Sequence, residues 1–408
     1  MSIRLSRNLL VSSGVALTMG ALVQALAGFL AQLVLMRLLF PEDFGRFALI
    51  LAGCGLVQTI LSLRLNVLII RLSDAEMTPE RASLYRAALV WESVIALAVT
   101  LAWLGFAGLI AADSLALVAA LALTQWTSQV VIFYERKMAY GRITLVETGS
   151  QMLGHGVAVA LILSGAGAVT LYAREAVVAL ARLAAYARIG ALSPPEWRMP
   201  RRADLRFLAA DVRVYWLEGV CEGGFARLVV LCSGAIAGSH GTGLLAQSQR
   251  LALIPHQLIS PVLSRLSVNA FSRADAGQKR RLLALLLSGA LASLGVAALL
   301  AVAFADPVVP FLFGEHWRPA AAILAAMAGM VVFFPTFELL RGYCFALGLV
   351  HSIMWARGVQ YAAFLMGAAL AGDAVEPVSV LALALSAAYG AAFAVLGVAA
   401  FRAAPSGR

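Results

Sequence analysis

Runs of about 20 predominantly apolar residues recur along almost the whole chain, and a helix of that length can cross a bilayer. Backbone groups in hydrocarbon find no water, so such runs fold as helices that satisfy their own hydrogen bonds. The pattern resolves into about twelve spans: near 12–36, 46–70, 86–110, 115–134, 143–163, 168–188, 207–235, 243–264, 283–304, 319–340, 353–371 and 378–401. With 62% hydrophobic and 13% charged residues, the composition lies far from that of a soluble domain. We expect an all-α polytopic membrane protein.

The first apolar run follows Arg4 and Arg7 and continues to Leu35. A signal peptide has an apolar core of only about 7–15 residues, so this run reads as an uncleaved first span. The longest polar connection, Arg188–Arg206, falls near mid-chain and carries three prolines and several arginines. It divides the chain into an N-terminal six-helix lobe (1–190), a linker (191–206) and a C-terminal six-helix lobe (207–408). Loops on the N-terminal side hold Arg71/Arg81/Arg86, Arg136/Lys137/Arg142, the linker arginines and Arg273/Lys279/Arg280/Arg281. The opposite loops are poor in basic residues, so both termini are expected in the cytoplasm. The excess of 31 Lys+Arg over 21 Asp+Glu then serves topology and anionic lipid, with no nucleic acid as partner.

A weak internal repeat accompanies the two halves. Phe40-Pro41-Glu42-Asp43-Phe44-Gly45-Arg46-Phe47-Ala48 opens the second span, and Ala237-Gly238-Ser239-His240-Gly241-Thr242-Gly243-Leu244-Leu245-Ala246 opens the eighth. Both place a short polar turn before G-x-x-A, and repeated halves with a site between them are a transporter signature.

Enzyme signatures are missing from the sequence. It contains no phosphate-binding loop for ATP, no HExxH and no DxD site, and its five histidines are scattered through different spans. The four cysteines sit in apolar runs without CxxC spacing and read as small buried hydrophobes. We therefore expect no enzyme, no cofactor and no metal.

What remains is charge inside the apolar spans, which is costly at bilayer depth and marks cavities or partners. The stretch Tyr215–Arg250 is the richest, with Glu218, Glu222, Arg227 and Arg250. On a helix Arg213 and Arg227 lie within about 40° of each other, while Glu218 and Glu222 share the opposite face. Arg64, with Asn66 nearby, occupies a comparable place in the second span. Arginine grips phosphate through a planar, permanently charged fork, so Arg64, Arg213, Arg227 and Arg250 are candidates for holding a diphosphate. The alternative is internal salt bridges to Glu92, Glu147, Glu218 or Glu222, with Arg213 snorkelling to the interface. Glu147, Glu218, Glu222 and Asn66 are candidates for lining the cavity or binding a coupling ion. Glu92 reads as lying near the cytoplasmic end and snorkelling, His155 as a packing residue, and Glu338/Arg341 as an i,i+3 ion pair.

Several stretches resemble one family. LAQLVLMRLLFPEDFGRFAL is similar to the first-to-second-span signature of the polysaccharide transporter (Wzx-type oligosaccharide flippase) family, within the multidrug/oligosaccharidyl-lipid/polysaccharide export superfamily. YERKMAYGRITLVETGSQM, GLLAQSQRLALIPHQLISPVLSRLSVNAFSR and LFGEHWRPAAAIL resemble later parts of the same pattern, in order and spread over most of the chain. The resemblance implies two six-helix lobes around a central cavity that opens alternately to either side. It implies an undecaprenyl-diphosphate-linked oligosaccharide as cargo, moved from the cytoplasmic to the periplasmic leaflet of a bacterial inner membrane. Membrane potential or an ion gradient would drive the movement, and a polysaccharide polymerase and export complex are suggested as partners beside membrane lipids. Arg71 and Arg250 stand where the family commonly has arginine, Arg71 as a cytoplasmic gate. Ala226 stands where many members have aspartate, a departure that leaves the coupling ion open. The runner-up is a cation-coupled multidrug antiporter of the same superfamily, which would need a cavity rich in acids and aromatics.

Overall fold

The computed structural model describes residues 7–136, 140–257 and 276–403. Among these residues every regular element is helical: α1 (Arg7–Leu38), α2 (Pro41–Leu61), α3 (Leu65–Arg71), α4 (Pro79–Phe106), α5 (Ala112–Glu135), α6 (Tyr140–Leu163), α7 (Val169–Arg188), α8 (Arg202–Ala252), α9 (Ala276–Phe313), α10 (Arg318–Ala326), α11 (Ala328–Ala346), α12 (Val350–Ala371) and α13 (Pro377–Arg402). A 3₁₀ turn, Glu315–Trp317, precedes α10. Among the described residues six helices are long and apolar enough to cross a membrane, or seven if α10 and α11, bent by 51° at their junction, form one span.

Each of the twelve expected spans overlaps a helix, with three departures. The second span is broken between α2 and α3. The tenth bends between α10 and α11, where Ser386 bridges the gap: its hydroxyl donates to Ala326 O at 2.9 Å and accepts from Met330 N at 3.2 Å. The seventh and eighth spans are two helical segments of α8 that meet at a kink at Gly238, at φ 65°. The short polar turn expected at 237–242 is this kink, made by a single glycine at positive φ.

Two compact units emerge: Met1–Leu39 with Ile50–Arg227, and Phe40–Leu49 with Leu228–Arg408. They do not divide at the linker 191–206. The first unit's core gathers Leu65, Ile69, Tyr85, Leu89, Ile132 and Leu208. Helix α4 starts here on a Thr78 cap, whose side chain accepts from Arg81 N, with Pro79 at its first position. The second unit's core is built from Leu283, Phe337, Leu340, Tyr343, Ile353 and Leu396.

Residues 40–49 join the second unit through a reciprocal backbone contact. A methyl built on Gly45 would lie 1.7 Å from Ser239 O, and one built on Gly243 would lie 1.8 Å from Pro41 O. Glu42 Oε1 meets His240 Nδ1 at 2.6 Å, a pair separated by 198 positions. Gly45 and Gly243, and Pro41 and Ser239, have the same separation. The repeated G-x-x-A turns therefore pack against one another about a local two-fold relation, with glycine where the backbones touch.

Candidate functional site

The first unit contains a cavity of about 270 Å³ where α2, α3, α4, α5 and α8 meet. Its wall is polar for a membrane chain: Gln58, Thr59, Ser62, Arg64, Asn66, Glu92, Gln125, Ser128, Gln129 and Arg227, beside Gly55, Leu65 and Leu89. Among the described residues, no aromatic side chain lines it.

The cavity is organised by the break after α2. Ser62 N still donates to Gln58 O at 2.9 Å, and the helix then opens. Arg64 takes a left-handed conformation (φ 51°, ψ 30°) and α3 begins at Leu65. Arg64 is the single non-glycine residue with positive φ among the described residues, a conformation that costs an L-residue about 1–2 kcal/mol. A break at membrane depth survives only if its freed backbone groups find partners. Here Leu63 N donates to Glu92 Oε2 at 3.0 Å, and Trp216 Nε1 donates to Ile60 O at 2.7 Å. The second Glu92 oxygen accepts from Gln129 Nε2 at 2.6 Å, while Gln129 Oε1 accepts from Ser93 Oγ at 2.7 Å.

Both arginines of the cavity lie against glycines. A methyl on Gly219 would come 2.2 Å from Arg64 Nε, and one on Gly55 would come 2.5 Å from Arg227 Nε. Between them Gly223 faces the Thr59 methyl, with 3.2 Å left for a Cβ. Gly219 and Gly223 of α8 are thus helical sockets for side chains and not points of unwinding. Arg227 Nε is buried without a hydrogen-bond partner, an unusual state for a strong donor.

The structure brings Arg64, Asn66 and Arg227 to one cavity. Glu92 is corrected: it is 5% exposed and caps the broken span rather than snorkelling. Glu147 lies elsewhere in the first unit, accepting from Tyr186 Oη at 2.7 Å and paired with Arg182. Glu218 and Glu222 are on α8 but do not line the cavity. Arg250 belongs to the second unit. Arg71 and Arg213 have helical backbones, and their side chains fall outside the described part of the structure. The Glu338–Arg341 pair forms at 2.5 Å and is joined by Arg357 at 3.3 Å. Sequence reading overlooks Gln58, Gln125, Ser128 and Gln129. A signal for two of them exists: Gln125 and Gln129 are i,i+4 neighbours on one face of an otherwise apolar helix.

The charged, amide-rich cavity lies inside an all-helical apolar chain, and known structures share its fold. A structure described as the inward-facing conformation of a multidrug resistance MATE family transporter of the MOP superfamily matches with a TM-score of 0.63 at 12% identity, covering 95% of this chain and 97% of that one. The lipid II flippase MurJ in an inward closed conformation matches with a TM-score of 0.70 at 12% identity, over 95% and 87%. A mutant of the Vibrio cholerae MATE transporter VcmN gives 0.54 at 14%, over 96% of each chain. At such identity the likeness is one of fold. No curated protein sequence matches the chain closely enough to count as a relative. The chain belongs to the family described as polysaccharide biosynthesis protein, whose family model matches residues 34–322.

Proposed function

We propose that the protein is a flippase for an anionic lipid-linked sugar, an undecaprenyl-diphosphate oligosaccharide in the form its family suggests. The observation that carries this reading is the pairing of Arg64 and Arg227 with a ring of side-chain amides and hydroxyls in one cavity. Guanidinium groups recognise phosphate oxygens by charge-assisted hydrogen bonds, and amides and hydroxyls suit sugar hydroxyls. The volume is at the low end for ligand pockets, which run from about 300 Å³, and suits a headgroup whose prenyl tail stays in lipid. Arg227 Nε, buried without a partner, is a donor in want of an acceptor.

Counting side chains, the cavity has two guanidiniums against one carboxylate and no aromatic ring among the described residues. That favours an anion over the multidrug cations of the runner-up reading, which call for acids and aromatics. Cargo would pass from the cytoplasmic to the periplasmic leaflet of a bacterial inner membrane by alternating access, with both chain termini cytoplasmic. Membrane potential or an ion gradient would supply the energy, and a polymerase and export complex would take the product. Arg250, Glu218 and Glu222, outside this cavity, remain part of the proposed path, as do Arg213 and the Arg71 gate. The test is complementation of a deletion strain with Arg64→Ala, Arg227→Ala and Arg250→Ala at matched membrane abundance. Loss of surface polymer with accumulation of the lipid-linked glycan is expected, and normal polymer from both Arg64→Ala and Arg227→Ala would refute the reading.

A further inference from the structure

The cavity holds one titratable group more than a phosphate cradle requires. Glu92 is almost fully buried, and among the described residues it forms no close ion pair. Its oxygens accept from the Leu63 amide at the helix break and from Gln129. The charged groups that share the cavity with it are Arg64, from the α2–α3 break and within electrostatic reach, and Arg227 from α8. Helix α5 contributes Gln125, Ser128 and Gln129, none of which titrates.

We propose that Glu92 takes up a proton when an anionic headgroup binds at Arg64 and Arg227 and gives it back when the headgroup leaves. This rests on the flippase reading and adds the ion that its site exchanges. In the empty cavity an ionised Glu92 balances one of the two guanidiniums. A diphosphate esterified at both ends carries about two negative charges at neutral pH and competes with Glu92 for Arg64. A sphere of 270 Å³ is only about 8 Å across, no more than the distance over which physiological salt screens exposed charge. The two anions therefore repel at short range, and neutralising the buried carboxylate relieves the conflict. The proton comes from the bulk buffer, relayed by water in the cavity, and resides on a Glu92 oxygen.

Protonation also changes the backbone. A carboxylate accepts at both oxygens, whereas a carboxylic acid must donate from one. A proton on Oε2 sets an O–H against the Leu63 N–H and weakens the hydrogen bond that holds the break. On that oxygen, loading the site loosens the grip on the break. Headgroup binding, proton uptake and the geometry of α2–α3 thus become one linked equilibrium.

The test is calorimetric titration of the purified full-length protein in detergent with farnesyl diphosphate at pH 7.5. Running it in two buffers of different ionisation heat counts the protons exchanged. The wild type is expected to take up close to one proton per ligand, with Kd rising up to tenfold per pH unit on the alkaline side. Glu92→Gln, nearly isosteric, is expected to bind without that proton and with a flat pH profile. A wild-type count of zero, or an unchanged count in Glu92→Gln, overturns the inference while leaving the flippase reading intact. The wild-type count alone decides if the variant does not fold. Equal binding by wild type and Arg64→Ala/Arg227→Ala would instead sink the reading beneath it. Inorganic pyrophosphate should give the same proton count with weaker binding; tighter binding of pyrophosphate would overturn a lipid as the source of the headgroup.

Discussion

Adding one methyl group at Gly45 puts the reciprocal glycine contact to a quantitative test. In Gly45→Ala the new Cβ falls 1.7 Å from Ser239 O, 2.6 Å from the carbonyl carbon and 2.9 Å from Gly243 N. Carbon and carbonyl oxygen in close contact sit about 3.3 Å apart at the nearest, so the two backbones must separate by about 1.6 Å. Rotating a side chain brings no relief, because these three colliding atoms all belong to the main chain. Overpacking of this kind costs about 1–3 kcal/mol. The separation also pulls apart the Glu42–His240 pair, which is half-exposed at 53% and 51% and contributes little. We expect a destabilisation of about 2 kcal/mol, read as a fall of a few degrees in apparent Tm, since about 2–4 °C per kcal/mol holds for chains of 150–250 residues and less for longer ones. Gly243→Ala should match it, its methyl meeting Pro41 O at 1.8 Å. The double variant is the sharper experiment. One separation relieves both clashes, so Gly45→Ala/Gly243→Ala should cost nearly the same as either single change. Thermal unfolding of the four proteins in one detergent suffices. Strict additivity, or singles indistinguishable from wild type, would refute the reasoning.

Other expectations concern the first unit. Gly55→Ala and Gly219→Ala meet arginine side chains rather than backbone, so apparent Tm should stay closer to wild type than in Gly45→Ala while farnesyl diphosphate binding weakens several-fold. Glu147→Ala strands the buried Arg182 and frees Tyr186 Oη; with Glu147 itself 32% exposed, the cost should fall below the roughly 3–5 kcal/mol of a fully buried pair, and apparent Tm should fall. The Ser83 hydroxyl, ahead of the Arg86 guanidinium, holds the Glu196 carboxylate below its usual range. Its folded value being depressed, the attachment of 190–201 is present above the unfolded value of about 4.3 and is lost as pH falls below it. Hydrogen exchange corrected for intrinsic rates should show that segment loosening on acidification in the wild type and already loose in Glu196→Gln.

Residue type alone makes the class readable: apolar runs, the basic loops and the charged helix after Tyr215 follow from bilayer physics. Arg64 and Arg227 stand out as costly residues, but nothing local states that they share one cavity. The α2–α3 break is hidden because Ser62-Leu63-Arg64 contains neither glycine nor proline. It exists because Glu92, 29 positions away, replaces the missing helical partner of Leu63. Depth along the sequence misplaces Glu92, since depth says nothing of the side on which its partners lie. The Gln125–Gln129 spacing is legible, and its meaning comes only with the arginines opposite. Glu147 is recognisable as buried charge, yet only tertiary packing assigns it to Arg182 and Tyr186 rather than to a cavity. The polar residues around Gly238 signal a turn; it is as short as a kink because one glycine absorbs the change of direction.

Arg64 sets fold and function against each other at a single position. The backbone there suits glycine or asparagine, and the cavity suits only a permanent cation. A chain under selection for stability alone would drift to glycine at 64, relieving about 1–2 kcal/mol of backbone strain and losing the guanidinium from the cavity. On the proposed reading, arginine in the left-handed region marks a position held by use, and screens for thermostable variants of this protein should erode it first.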